Sequence, residues 1–372
     1  MIDIKNILKR SWLILWNYKI LWIFGVLLVL ATGTSGGNSG SSYQFSGSDY
    51  DRPFVDQNRY WTGPEWEEAK AWLEENISPM IDHPERFIST FIWIGVGLFL
   101  FILLLSVIFS IVRYVSETAI LRMVDQYEQD GTKIKFKQGW KLGWTKRAFR
   151  LWVIDLIISL PILILVACLL GVGIYFSVSW VQGMERPEIG GMLALIGFLL
   201  ILLLGFSLVM IFLGLLRQFF ARFAVLDETK VGESFRQGWR LFKHQWKSAA
   251  MLWLVMLGIG IGFTIVSMIL FFLLIPVYIV LLIPGVIVAA IPGLIAFGIS
   301  SLFTGSILSA IIGGVIALPF LFTVLFSPLY LISAWYKVFD SSVWTLTYRE
   351  LKVLERQPAV PEPVVLPDES QS

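Results

Sequence analysis

The chain has 372 residues, 56% of them hydrophobic and only 15% charged, with a mean hydropathy of +0.75. A soluble chain of this size carries roughly 25% charged residues, so the composition excludes an ordinary soluble domain. The single cysteine allows no intrachain disulfide, the net charge of +2 says little as a sum, and no nucleic-acid partner is expected.

The first element is basic and aromatic. Leu8-Lys-Arg-Ser-Trp12-Leu-Ile14 stands just before an apolar run at 20–36, and its pattern recurs as Phe136-Lys-Gln-Gly-Trp140-Lys-Leu142 and Phe235-Arg-Gln-Gly-Trp239-Arg-Leu241. A fixed pattern in front of successive apolar runs marks an internal repeat. The N-terminal copy also argues against a cleaved signal peptide, although basic residues followed by Ile20–Leu30 resemble one.

Residues 32–88 follow as an acidic excursion with ten acids and four bases. Its Gly/Ser-rich start reads as a flexible loop. Thr62-Gly-Pro-Glu65 reads as a capping box opening an amphipathic helix of about 16 residues, with Trp66, Ala69, Leu73, Ile77 and Met80 on one face. Asp49, Asp51 and Asp56 match no calcium-loop spacing and read as solvated acids.

Further spans are expected at 89–112, 151–178 and 191–216, since about 20 apolar residues cross a bilayer. Between Ser248 and Tyr336 there is no Asp, Glu, Lys, Arg or His. Two full spans near 249–275 and 305–336, flanking a broken or re-entrant segment at 276–303, fit this stretch; four crossings fit as well. Pro276, Pro284, Pro292, Pro319 and Pro328 are the expected breaks. Cys168, inside the third span, reads as a buried, inert thiol.

Charge alternates from loop to loop. Segments 1–19, 113–150 and 217–247 are net +3, +5 and +4, whereas 32–88 and 179–190 are net −6 and −1. Cytoplasmic loops carry the Lys/Arg excess, which places both termini and the repeated basic helices inside, in a cell membrane. The reading is an all-α, polytopic transmembrane bundle of about six spans. Residues 1–356 form the membrane domain as three helix-hairpin repeats (1–135, 136–234 and 235–356), each preceded by an interfacial amphipathic helix. Each return span ends in a base and an Asp: Arg122 with Asp125, Arg222 with Asp227, Lys337 with Asp340. Residues 357–372, proline-rich and acidic, read as a disordered cytoplasmic tail.

Chemistry-bearing sets are scarce. His83 and His244 fall on opposite sides of the membrane, which excludes a shared histidine metal cluster or a triad. No phosphate-cradling Gly-Lys-Ser/Thr loop occurs, and neither a metal nor a cofactor is expected. Asp155 is the one ionisable residue inside an expected span and should bond a Trp or a Lys/Arg near the inner surface. The candidate contacts are therefore interfacial: Lys137, Trp140 and Lys141 of the second basic helix, and Arg236, Trp239 and Arg240 of the third. A helix with Trp and Phe on one side and bases on the other lies in the interface plane. Gly139 and Gly238 suggest close helix approach, and Gly258, Gly260 and Gly262 a small-residue face that could serve a homo-oligomer.

The order of basic Trp helix, span, span and inner Arg/Asp segment, with the ending Trp344-Thr-Leu-Thr-Tyr348-Arg-Glu-Leu351, resembles a loose group of bacterial six-helix membrane proteins. They are similar to the membrane domain of some glycerophosphodiester phosphodiesterases. The resemblance implies a six-helix bundle with interfacial elbows. The soluble phosphodiesterase domain has no counterpart in this chain, so no catalytic residue carries over. The expected function is a non-enzymatic membrane scaffold that organises lipids or partner membrane proteins. The alternative is a transporter of a hydrophobic or lipid-like substrate, using region 276–305.

Overall fold

The computed structural model describes residues 2–33, 84–181, 189–302 and 306–356. The acidic loop with its amphipathic helix, Asp49, Asp51, Asp56, His83 and the tail lie outside the described residues. All eleven elements among the described residues are helices: α1 (Ile4–Asn17), α2 (Ile20–Thr32), α3 (Pro84–Asp130), α4 (Phe136–Gly143), α5 (Lys146–Val181), α6 (Ile189–Val225), α7 (Val231–His244), α8 (Trp246–Leu273), α9 (Ile275–Ser300), α10 (Ser306–Leu325) and α11 (Ser327–Arg356). The chain is a polytopic helical bundle. By length and composition five helices can each cross a bilayer, and the bent pairs α1/α2 and α10/α11 raise the count to as many as seven.

Two compact units share these helices, one made of residues 1–42 with 111–372, the other of 43–110. In the second unit the described residues are the first part of α3, apolar and largely exposed from Phe99 to Phe109. The first unit contains everything below.

Each basic motif forms a short helix that stops where an apolar helix starts. Asp3 caps α1 by accepting from the Asn6 N–H at 3.1 Å, and α1 meets α2 at 97°. Tyr18, at that corner, is fully buried. Its hydroxyl donates to the Ile134 carbonyl (3.0 Å) and accepts from the Ile134 N–H (2.6 Å), so the first elbow holds the strand of chain that leads into the second. The repeated glycines bring helices close, as their spacing suggests. A Cβ at Gly139 of α4 would lie 2.7 Å from the Met123 sulfur of α3 and 3.0 Å from the Phe24 ring of α2. A Cβ at Gly238 of α7 would lie 2.5 Å from the Phe220 ring of α6. Ser11, the corresponding residue of the first copy, is completely buried, and α1 packs along α11. Each elbow thus leans on an apolar helix: α4 on α3, α7 on α6, and α1 on α11.

The main core forms where these elbows meet the helix ends. It joins Ile7 and Leu15 of α1, Phe24 of α2, Met123 of α3, Phe219 of α6 and Trp344 of α11. Away from it the apolar helices are largely bare; only 6% of the most apolar stretch of α8 is covered by protein. Side chains such as Leu204, Met268 and Ile283 are exposed; in hydrocarbon, leucine gains little by packing on another helix.

The region expected to be broken departs from expectation. Residues 276–300 lie in one continuous helix, α9, that keeps Pro284 and Pro292 inside it. The breaks fall at Leu274 and Phe326 instead, where Pro276 and Pro328 sit in the first turns of α9 and α11. Proline is tolerated in a first turn because its missing N–H would be unpaired there anyway. α10 meets α11 at a 64° bend. α9 and α10 pack antiparallel over their length: a Cβ at Gly285 would lie 3.0 Å from Leu321, and one at Gly293 would lie 3.1 Å from the Gly313 carbonyl. The hairpin continues through Tyr278 against Phe326 and through Phe263 stacked on Tyr336 of α11. A second correction concerns Cys168, which is exposed on the apolar surface of α5. Of the three glycines at 258, 260 and 262, only Gly260 meets a neighbour, the Tyr336 hydroxyl, because residues two apart face opposite sides of a helix.

Gly238→Ala should lower the melting temperature of the detergent-solubilised protein, because the Phe220 ring is packed and rigid; overpacking costs about 1–3 kcal/mol. Gly232→Ala on the same helix, with open space around it, should leave the temperature unchanged or raise it. Equal melting of the two variants would show that the close approach of α7 and α6 carries no stability.

Candidate functional site

Asp155 lies near the start of α5, and it does find basic partners. Its Oδ2 accepts from Arg113 Nη2 of α3 at 2.9 Å, from Arg217 Nη2 of α6 at 2.9 Å and from the Tyr114 hydroxyl at 3.1 Å; Arg217 Nε bonds Oδ1. Arg217 also grips Glu117, with Nη1–Oε1 at 2.9 Å and Nη2–Oε2 at 3.0 Å. Arg113 and Glu117 are four residues apart and so share a face of α3. The side chains of Arg217, Glu117 and Asp155 are 6%, 10% and 13% exposed, whereas that of Arg113 is 34% exposed. The inner members are therefore a desolvated set, and Arg113 is its wet edge.

Five residues after Arg217, Arg222 carries the charge cluster to α11. Its Nη1 donates to the Gln218 carbonyl (2.6 Å) and Oε1 (2.8 Å), and its Nη2 to the Ser341 carbonyl (3.3 Å). Its buried Nε has no hydrogen-bond partner among the described residues. Lys337 and Asp340 of α11 are buried beside it, and the Asp340 carboxylate also accepts from the Trp344 side chain. Four cations (Arg113, Arg217, Arg222, Lys337) thus meet three carboxylates (Glu117, Asp155, Asp340) among the ends of α3, α5, α6 and α11.

The Asp residues that close the other two repeats are held by α11 as well. Arg349 donates from Nη1 to Asp125 Oδ1 and to its carbonyl, both at 2.9 Å. The Tyr348 hydroxyl donates to Asp227 Oδ2 at 2.8 Å, and Lys352 bonds the same oxygen. The first elbow joins this clasp through Arg10, which pairs with Glu128 of α3 and, at 3.2 Å, with Glu350 of α11. Two open polar clefts flank Asp227 and Lys352. One, of about 270 Å³, runs along Asp125, Tyr348 and Arg349; the other, of about 500 Å³, runs along Phe223, Gln237, Arg240 and Glu355.

Of the six residues expected from the sequence, five are exposed and Trp140 is half-buried. On α4, Lys137 and Lys141 are exposed and have no acidic partner among the described residues, and Trp140 is half-buried between Phe136 and Trp144. On α7, Arg236 and Arg240 are exposed but paired, with Glu233 at 3.0 Å and Glu355 at 3.1 Å. Glu233, held below the usual glutamate range by hydrogen bonds from Gln237 and Arg236, keeps its charge. Trp239 is half-exposed and stands against Phe212 and Phe242. The first elbow carries the same feature: Trp12 and Trp16 are exposed and meet Trp22, Trp335 and Phe339 edge-on or tilted. α4 and α7 are not joined into one site; each presents its own patch.

Glu117 and Arg217 do not stand out as site residues in the sequence. They fall just past the apolar runs, where a charge ordinarily faces water. The one signal along the chain is the paired base and Asp closing every repeat. Among the described residues no three His, Cys, Asp or Glu side chains are grouped to hold a metal ion.

Residues 13–350 match a family described as "Family of unknown function (DUF7544)". Neither the curated proteins nor the solved structures offer a match to the chain.

Removing one member of a buried ion set leaves the others uncompensated, at a cost of about 3–5 kcal/mol. Arg217→Met, which strips the partner from both Glu117 and Asp155, should therefore abolish or sharply reduce the folded, monodisperse fraction on size exclusion. Arg113→Met, at the wet edge, should cost about 1 kcal/mol or less. Indistinguishable elution and melting of the two would mean that the network does not brace the helices.

Proposed function

We propose that this chain, which belongs to DUF7544, a family of unknown function, is a non-enzymatic membrane protein that gathers anionic lipid at its basic, cytoplasmic surface. One observation carries the reading. All three elbows spend one face on a neighbouring helix; α1 and α7 leave Trp12, Trp16 and Trp239 exposed, and α4 and α7 present exposed bases, with Trp140 of α4 half-buried beside them. A basic helix of this kind lies in the headgroup region with its aromatic side down. Each base there adds about 1 kcal/mol of attraction to an anionic leaflet. The Lys/Arg excess of 113–150 and 217–247 supports the cytoplasmic side.

A transporter is the second reading, and the buried charges favour it, since ionisable groups among membrane helices often mark an ion path. Two features favour bracing instead. Arg113, Tyr114 and Arg217 bond Asp155, and Arg217 also bonds Glu117, at 2.9–3.1 Å. The proline-rich region that would offer a substrate cavity is a close-packed hairpin, with Gly293 against Gly313.

The test is lipid enrichment. In nanodiscs of mixed neutral and anionic lipid at low salt, native mass spectrometry should find anionic lipid concentrated on the protein. The combined variant Lys137→Glu, Lys141→Glu, Arg236→Glu, Arg240→Glu should lose that enrichment by more than about tenfold, given about 1 kcal/mol per base. Unchanged enrichment would remove the lipid-gathering role; ion flux through the wild-type protein in sealed vesicles, lost in Asp155→Asn, would put transport in its place.

A further inference from the structure

The exposed side of α7 has a second suitor within the chain itself. Residues 357–372, which follow α11 directly, contain Glu362, Asp368 and Glu369 and no Lys or Arg, a net charge of −3. The exposed cations of α7 and its corner, Lys243 and Lys247, have no acidic partner among the described residues. The tail leaves from beside this helix: Glu355, next to the last described residue of α11, pairs with Arg240 of α7 at 3.1 Å. At that junction lies the 500 Å³ cleft, floored by Phe223 and walled by Gln237, Arg240, Lys352 and Glu355.

We propose that residues 357–372 dock along the exposed face of α7, with their acids on Lys243, Lys247 and Arg236 and with Val364-Val365-Leu366 against Trp239 and the cleft. Three facts converge on this occupant. Its charge is opposite to that of the face. Its attachment point is already bonded to the helix. Its length suffices, since sixteen residues in an extended, proline-rich form reach about 50 Å, whereas the fourteen residues of α7 span about 21 Å. The segment would compete with anionic headgroups for the same bases, so the third elbow would be masked from lipid while the second, α4, stays free. This regulation rests on the lipid-gathering reading above.

A photo-crosslinker placed at Val365 of the full chain, in nanodiscs of neutral lipid, should join the tail to a peptide within 235–247, and the yield should fall at high salt. Glu362→Gln with Asp368→Asn and Glu369→Gln should lose that crosslink. In mixed-lipid nanodiscs the same triple variant should gain anionic lipid several-fold. Crosslinking to lipid, to a second copy of the chain or to nothing would overturn the docking, as would a triple variant that crosslinks like the wild type. The two readings fail separately. If the elbow variant loses lipid and the tail variant changes neither readout, the masking is wrong and the lipid role stands. If the tail crosslinks to α7 but lipid enrichment ignores both sets of substitutions, the lipid role is wrong and the docking stands.

Discussion

A carboxylate near the start of an apolar helix must find a partner or give up its charge, because desolvating an unpaired ion costs several kcal/mol. Asp155 finds Arg217, and Arg217 also satisfies Glu117. That one guanidinium, on α6, ties α5 to α3. Arginine suits this position because its planar fork donates to two carboxylates at once. Apolar helices in lipid gain little from burying leucine against one another, so a directional polar contact of this kind decides which helix ends meet and in what register.

Around that contact the bundle is closed by α11. Gly25 of α2 admits it so closely that a Cβ would lie 2.9 Å from the Ala334 carbonyl. Arg222 bonds the Ser341 carbonyl, and Tyr348, Arg349 and Lys352 then collect Asp227 and Asp125. The last helix thus reads the ends of the earlier two return helices. Two of the three Asp residues at these positions, Asp125 and Asp227, bond α11, and the third, Asp340, belongs to α11 itself. The elbows fit the spaces left between return helices, with glycine or buried serine at the contact.

Much of this architecture is legible along the chain. Apolar runs reveal helices because only a helix satisfies its backbone internally in lipid, and the elbows reveal themselves through a repeated Gly/Ser and Trp. Asp155 is legible as a group in need of a base. Its partners are not, because Arg113 and Arg217 stand at the borders of apolar runs, where a charge can either enter the bundle or reach for water. Proline misleads in region 276–303 for a related reason. Its rigid ring marks a place where a helix can break, but Pro284 and Pro292 stay inside α9, while Pro276 and Pro328 follow the breaks. Cys168 misleads too: apolar surroundings along the chain mean burial in a soluble protein, but on a lipid-facing helix they leave the thiol exposed.

Composition and periodicities of a few residues suffice to specify a helical membrane bundle, the location of its basic aromatic elbows, and the glycines at which helices come close. Those properties act locally, so they can be read residue by residue. Folding in three dimensions was needed to select Arg217 as the partner of two carboxylates from two helices, to bring Asp125 and Asp227 to α11, and to leave particular bases free at the surface. Each of these pairings joins residues between 62 and 224 positions apart, and no local pattern carries a choice among so many distant charges.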